Sequence, residues 1–371
     1  MVLTGLDCLV ARNFDRLRGR RVGFVCNQAT ITKDGQHLLE HLKFANLTLC
    51  AIFGPQHGLF GHTQDNMIEW EGAVDPRIGV PIYSLYGEHR KPTPQMLKGV
   101  DVLVIDLPDI GSRYYTFAWT MAYCLEACAE LGIQVLVLDR PNPLGGVIQE
   151  GPVVEPGFES FVGLYPIPIR HGMTLGELAL WIRTHQALDV DLQIEACTGW
   201  DRNSLAHESG LPWGLPSPNM PSPTTALLYP GGCLLEGTTI SEGRGTTRPF
   251  EIVGAPHLDA FKLCEAMNAY ELQGLHFRPT QFQPTFNKFA GQVCEGCFVH
   301  VRDPHIVRSV KTYVLLIREL WRMNGDSPFW KTPPYEYEFV KMPIDILWGS
   351  SKLRESVEAD NIARLAWAEL P

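Results

Sequence analysis

Stretches of one grammar recur through the first part of this chain, and they restrict its fold more than any other feature. RRVGFVCNQ (residues 20–28), LTLCAIFGP (47–55), DVLVIDLPD (101–109) and IQVLVLDRPNP (133–143) are each short and apolar, and each is closed by polar or proline residues. A strand with one solvated face alternates apolar and polar residues. A strand buried on both faces reads as one apolar run. Helical segments stand between these runs. GQHLLEHLK precedes the second. TPQMLKG offers Thr93 as N-cap with Pro94 at the first helical position. YYTFAWTMAYCLEACAELG is long, apolar and closed by Gly132, and TLGELALWIRTHQAL carries a Thr174–Glu177 capping box. Strands alternating with helices predict an α/β fold: a parallel sheet covered by helices on both faces.

The rhythm changes after Trp200. LPWGLPSPNMPSPTTALLYPGG (211–232) is crowded with prolines and glycines around Asn219, which argues against a long helix or a central strand and marks a crossing between domains. Beyond it come a glycine-rich loop (241–250), a helix near 259–270, strands near 277–282 and 291–301, a helix near 309–322 and a terminal helix after Ser351. That is an α+β pattern. The expected division is residues 1–225 for the parallel-sheet domain, with most of the site, and 226–371 for the C-terminal α+β domain. A chain of 371 residues has room for both.

Composition excludes several classes of function. The net charge is −10 and no Lys/Arg tract opposes it, so neither nucleic acid nor an anionic membrane is an expected partner. No run approaches the roughly 20 apolar residues of a membrane span, and the start shows no secretory signal. The expected location is the cytoplasm. Ten scattered cysteines suit reduced thiols there. CEGC (294–297) lacks the second pair of a zinc site and reads as buried strand thiols. No oligomeric state is assigned.

In open α/β sheets ligands bind beyond the carboxyl ends of the strands. Those ends are polar here: Asn27-Gln28, Gln56-His57, Asp106 to Arg113, and Asp139 to Pro143. No GxGxxG follows the first strand, so the dinucleotide fingerprint is missing. DLPDIGSRYYT sets Asp106 and Asp109 three residues apart with Arg113 behind them. Paired carboxylates divide acid and base roles or hold a cation; alternatively one caps the next helix and the other pairs with Arg113. LDRPNP sets Asp139, Arg140 and Asn142 on a proline-stiffened turn. In SEGRGTTRPFE, Glu242, Arg244 and Arg248 lie among backbone devices that suit a carboxylate or phosphate. HGLFGHTQD offers His57, His62 and Asp65, but at no standard metal-ligand spacing, so no metal is expected. His171 stands beside Arg170 before a helix start. No GxSxG nucleophile elbow exists.

Taken together, GPQHGLFG, PIYSLYGEHRKPT, DVLVIDLPDIGSRYYTF, VLDRPNPLGG, PIRHGMTLGELA, PSPNMPSPTTALLYPGGCLLEGTTISEGRGTTRPFE and PTFNKFAGQVCEG resemble, in order, the exo-β-N-acetylmuramidase family of glycoside hydrolases. The resemblance covers roughly residues 20–300. It implies a Rossmann-like domain with a C-terminal auxiliary domain and a cleft between them. It also implies hydrolysis that releases terminal N-acetylmuramic acid from peptidoglycan fragments, with no nucleotide cofactor. The family's first motif reads Pro-Glu-His-Gly, and its glutamate is the proposed catalytic acid. Here that position is Gln56, and the family's DIQDVG is DLPDIG, with Pro108 in place of glutamine.

Glycoside hydrolysis normally needs a proton donor at the leaving oxygen and a second carboxylate. An amide cannot donate that proton, so Gln56 is expected to orient the substrate's acetamido group or a water. Asp109 or Glu242 is expected to supply the carboxyl, with His57 as a further proton carrier. Arg244 with Arg248, or Arg113, would clamp the lactyl carboxylate of muramic acid. Asp106, Arg140, Asn142 and Asn219 complete the expected substrate contacts. The alternatives are a cytoplasmic sugar-binding protein that has lost hydrolysis, and a hydrolase of another acidic amino sugar.

Overall fold

A computed structural model describes residues 1–64, 68–74 and 76–365. The chain forms two compact units, and they do not follow a single cut in the sequence. One comprises residues 1–111, 115–147 and 172–218; the other comprises 112–114, 148–171 and 219–371.

The first unit is built on a seven-stranded sheet. Its strands are β1 (Arg21–Cys26), β2 (Thr48–Gly54), β3 (Ala73–Val74), β4 (Pro81–Ser84), β5 (Val102–Asp106), β6 (Gln134–Leu138) and β7 (Leu192–Glu195), in the order β3-β4-β2-β1-β5-β6-β7. All neighbours are parallel except the short edge pair β3 and β4. Without β3 this is the doubly wound order, and the chain reverses direction across the sheet between β1 and β5. Register there pairs Cys26 with Asp106.

The apolar runs have the predicted cause. Every residue of β5 is buried, and so are the last five of β1. Val22, Phe24, Val102, Val104, Leu136 and Leu138 form one cluster with Leu6, Leu9 and Leu38. Leu6 and Leu9 lie on α1 (Gly5–Ala11) and Leu38 on α2 (Leu38–Leu42). The alternate residues Val25, Leu103, Ile105, Val135 and Val137 point to the opposite face and are equally buried. Helix α3 (Phe117–Leu131) ends at Gly132, whose positive φ of 63° closes it, and α4 (Leu175–His185) carries both halves of its capping box. TPQMLKG makes only a single turn: the Leu97 amide donates to the Thr93 carbonyl at 3.2 Å. Between Pro94 and Gly99 there is too little chain to repay helix nucleation.

The second unit has the α+β pattern expected of it. Strands β8 (Ile252–Ala255), β9 (Leu275–Phe282) and β10 (Cys294–Val301) form an antiparallel sheet in the order β8-β10-β9. Among the described residues five helices accompany it: α5 (Pro223–Gly232), α6 (Ala260–Asn268), α7 (Ser309–Met323), α8 (Pro343–Trp348) and α9 (Lys352–Glu358). The proline-rich segment departs from the expectation, because α5 forms inside it. The Ser222 hydroxyl accepts the Thr225 amide at 3.1 Å and Pro223 occupies the first turn, where no amide hydrogen is needed. Cys294 and Cys297 are both buried on β10. An odd spacing on a regular strand sends them to opposite faces, so they cannot share a metal.

Candidate active site

GPQHGLFG (54–61) forms a tightly held turn past the end of β2. Trp70 lies over its glycines. A methyl group on Gly54 would come within 2.6 Å of the indole, so only glycine lets the ring close on the backbone. The indole Nε1–H donates to the Pro55 carbonyl at 3.0 Å, and the Gly58 amide donates to the same carbonyl at 3.0 Å. His57 is left-handed, with φ 69°. That conformation is unusual for a side-chain-bearing residue and marks a strained, over-determined position. Its Nδ1 lies 2.8 Å from the Thr63 carbonyl. A carbonyl only accepts, so Nδ1 carries the proton and Nε2 is the basic nitrogen. Gln56 is buried, and its Oε1 accepts the Thr116 hydroxyl at 2.7 Å. Thr116 stands at the start of α3.

The turn after β5 is fixed by a second set of contacts. Asp109 is half-buried, and its Oδ2 accepts the Gly111 amide at 2.7 Å. Gly111 has φ 78°, and a methyl group there would lie 2.4 Å from Asn142 Oδ1. Asn142 is itself anchored: Nδ2 donates to the Met173 carbonyl at 2.8 Å and Oδ1 accepts the Leu144 amide at 2.9 Å. Asn142 therefore packs close against the turn that holds Asp109, and its own polar atoms are engaged by backbone.

Asp106 and Arg140 satisfy one another. Arg140 Nε donates to Asp106 Oδ1 at 2.5 Å and Nη2 donates to Oδ2 at 3.0 Å, with a further bond to the Ile31 carbonyl at 3.0 Å. Asp106 is fully enclosed, so this two-point ion pair ties the end of β5 to the turn after β6. Asp139 caps α4 by accepting from the Thr174 hydroxyl and the Gly176 amide, both at 2.8 Å. Burial nevertheless pushes its carboxyl above the usual range, against those bonds.

The crevice between β1 and β5, where a doubly wound fold binds a dinucleotide, is filled by the chain itself. Asn27 Nδ2 donates to the Pro216 carbonyl at 2.9 Å and Gln28 Nε2 donates to the Leu215 carbonyl at 2.6 Å. These residues do not fit a dinucleotide. Of the possible metal ligands in HGLFGHTQD, Asp65 lies outside the described residues.

In the second unit the glycine-rich loop builds a buried charge network. Glu242 is held by Lys288 Nζ at 2.8 Å and by Arg244 Nε at 3.3 Å. Arg244 Nη2 donates to Glu236 Oε1 at 2.8 Å, and the Tyr335 hydroxyl donates to Glu236 Oε2 at 2.8 Å. Lys288 Nζ also donates to the Leu235 and Ile240 carbonyls. Burial opposes the charge on Glu236, but Arg244's charge and hydrogen bond, with Tyr335, hold its carboxyl below the usual range. Burial likewise opposes the charge on Arg244, yet Glu236 and Glu242 hold its guanidinium above its ordinary value. Glu242 and Arg244 thus complete each other and do not stand open. The Arg248 side chain is 51% exposed and pairs with Glu251 at 3.4 Å.

Arg113 is fully enclosed. Its guanidinium donates to the carbonyls of Pro152, Ile167, Leu347 and Trp348 at 2.5–3.1 Å, and burial pushes it down to about 10. Its fork is occupied by main chain and does not face a ligand carboxylate. Asn219 and His171 are buried in this unit too. Sequence reasoning missed Thr116, Trp70, Glu236, Lys288 and Tyr335, because each acts through a partner remote in the chain.

The fold defines a two-unit α/β protein with a doubly wound parallel sheet in one unit and a small antiparallel sheet in the other. Comparison with known proteins then places it. The model of the N-terminal part of the exo-β-N-acetylmuramidase NamZ matches residues 22–224, and that of its C-terminal part matches residues 227–367. The chain belongs to the exo-β-N-acetylmuramidase NamZ family. It is 42% identical over 359 residues to the peptidoglycan β-N-acetylmuramidase NamZ of Bacillus subtilis strain 168, covering 96% of this chain and 84% of that protein. Two solved DUF1343 family proteins from Bacteroides fragilis share the fold. One has a TM-score of 0.87 at 34% identity, covering 99% of this chain and 93% of the other. The second has a TM-score of 0.75 at 28% identity, covering 100% and 94%.

Proposed function

We propose that this chain is an exo-acting glycosidase that hydrolyses the β-linkage of a terminal N-acetylmuramic acid in peptidoglycan fragments. The observation that carries this reading is the family match along both parts of the chain, with a relative 42% identical that is named for that activity. In the reaction, water adds to the anomeric carbon as its bond to the leaving oxygen breaks, and that oxygen takes up a proton.

The chain's own residues divide that work as follows. Asp109 supplies the carboxyl: it is half-buried, carries one backbone bond on Oδ2, and is positioned by Gly111 and Asn142. His57, with Nδ1 protonated and Nε2 basic, carries a proton to or from water. Gln56, fixed by Thr116, presents its amide to the acetamido group or to the water. Arg248 is the guanidinium with an exposed side chain suited to the lactyl carboxylate. The reading needs no nucleotide or metal. We further read the protein as a cytoplasmic enzyme of cell-wall recycling. All ten cysteines are free, which agrees with a reducing compartment. Among the described residues no helix is long and apolar enough to cross a membrane.

The test is turnover of a chromogenic N-acetylmuramide beside a small glycoside panel, with thermal shifts by the free sugars. Release from the muramide alone is the expected result. A stabilising shift without turnover would make the protein a sugar-binding module instead. Arg248→Gln should raise KM for substrates that carry the lactyl carboxylate and leave a lactyl-free analogue unaffected; equal effects on both would remove Arg248 from that role.

A further inference from the structure

We propose that the opposite, N-terminal edge of the seven-stranded sheet carries a second carbohydrate site, one that takes an N-acylated sugar bearing a single carboxylate. A cavity of about 510 Å³ opens there, within the range of small-molecule pockets. It is formed where α1 and α2 end and where the chain enters β1 and β2. Strand β2 alone places it roughly 20 Å from the Gln56-His57 turn, at about 3.3 Å per residue.

Its lining combines an apolar floor with polar groups that the protein leaves unused. Val10, Phe14 and Leu47 supply the floor. Phe44 stands at the cavity with its side chain 90% exposed, an open platform for the apolar face of a sugar ring. Asn13 and Asn46 contribute amides, and among the described residues neither side chain has a partner. His41 Nε2 is enclosed and likewise has no hydrogen-bond partner. A buried nitrogen without a partner favours a ligand hydroxyl that can meet it.

Charge at the cavity points the same way. Residues 16–21 read RLRGRR, too short a run to oppose the net charge of −10 but enough to set the charge locally. Arg16 is spent on Glu195, Arg21 on Asp101, and Arg20 on Gln134 and the Asp101 carbonyl. Arg18 lines the cavity, is exposed, and has no ion pair or hydrogen bond from its guanidinium among the described residues. Two helix C-termini end at the cavity, which disfavours a doubly charged phosphate more than a single carboxylate on Arg18. The backbone is also committed to this arrangement. Asn13 and Phe14 are both left-handed, with φ 50° and 53°, and for the bulky Phe14 that conformation is costly. The turn it makes is what sets Asn13 at the cavity.

The sugar class rests on the chemistry proposed for the first site; the cavity and its unused groups do not. The ligand could reach the site as released N-acetylmuramic acid or as part of a longer glycan. Titration calorimetry of the full chain with N-acetylmuramic acid should show two equivalents bound. The Arg18→Gln, Phe44→Ala double variant should bind one, with affinity at the other site weakened about tenfold or more. Both substitutions are on exposed side chains, so Tm and kcat on a small chromogenic muramide should not change. A KM raised only for long glycans would show that the site anchors the polymer. Loss of product inhibition alone would show that it reads the released sugar. An equal number of equivalents in wild type and variant would overturn the proposal. If the small muramide is not turned over but the variant still loses one equivalent, the function proposed for the first site fails and the second site stands.

Discussion

At the scale of single residues, the site turns on what an amide can and cannot do. Gln56 is fixed by Thr116 and buried, but it can only orient. In the proposed reading the carboxyl comes from elsewhere, and the two residues the sequence offered for it differ in their surroundings. Glu242 is engaged by Lys288 and Arg244 in a buried ion-pair network, whereas Asp109 accepts the Gly111 backbone amide through Oδ2. Glu242→Gln should therefore act first on folding: breaking a buried ion pair costs about 3–5 kcal/mol, read as a lower Tm. A variant that kept wild-type Tm but lost turnover would return Glu242 to the chemistry. The polar strand ends were legible in the sequence as turns beyond the sheet. What could not be read was which of their side chains are consumed by one another. Asp106 and Arg140 are separated by 34 residues, and only the sheet register makes them a bidentate pair. Arg113 sits beside Asp109 in sequence but spends its guanidinium on carbonyls as far away as Trp348.

At the scale of elements, the strands were legible because burial on both faces writes itself as a continuous apolar run. Caps were legible for the same local reason, as at Thr174 and Gly132. Elements whose existence depends on packing were not. TPQMLKG has every helix-start signal and makes one turn, while α5 forms in a segment whose prolines argued against it. The turn after β5 shows how strictly an element can depend on one position. Gly111→Ala would force a side chain into a left-handed residue and onto Asn142, 2.4 Å away. We expect a loss of about 1–3 kcal/mol of stability together with reduced turnover, since Asp109 is held through the Gly111 amide. Unchanged turnover in that variant would separate this turn from the chemistry.

At the scale of the whole molecule, pH links the buried charge network to stability. Glu236 has a folded pKa below its ordinary 4.5, so the folded state binds fewer protons than the unfolded chain in the window beneath that value. Its contribution is present above about pH 4.5 and is lost as pH falls through the folded value. Asp360, held down to about 2 by hydrogen bonds from Arg322 and Arg318, extends the same trend from 3.8 downward. Asp139 and Glu150, raised by burial, work in the opposite sense and lose stability as pH rises through their folded values. Calorimetry of Glu236→Gln against wild type isolates one contribution: the stability difference should be full at pH 7 and shrink below pH 4.5. A difference that stayed constant to pH 3 would remove Glu236 from the acid response. The central question is which group carries the proton. Kinetics of Asp109→Asn on a chromogenic N-acetylmuramide address it most directly. Asparagine's oxygen can still accept the Gly111 amide, so the fold should hold. The account predicts that kcat falls by about 10²–10⁴-fold with Tm unchanged. Full turnover by that variant would contradict it.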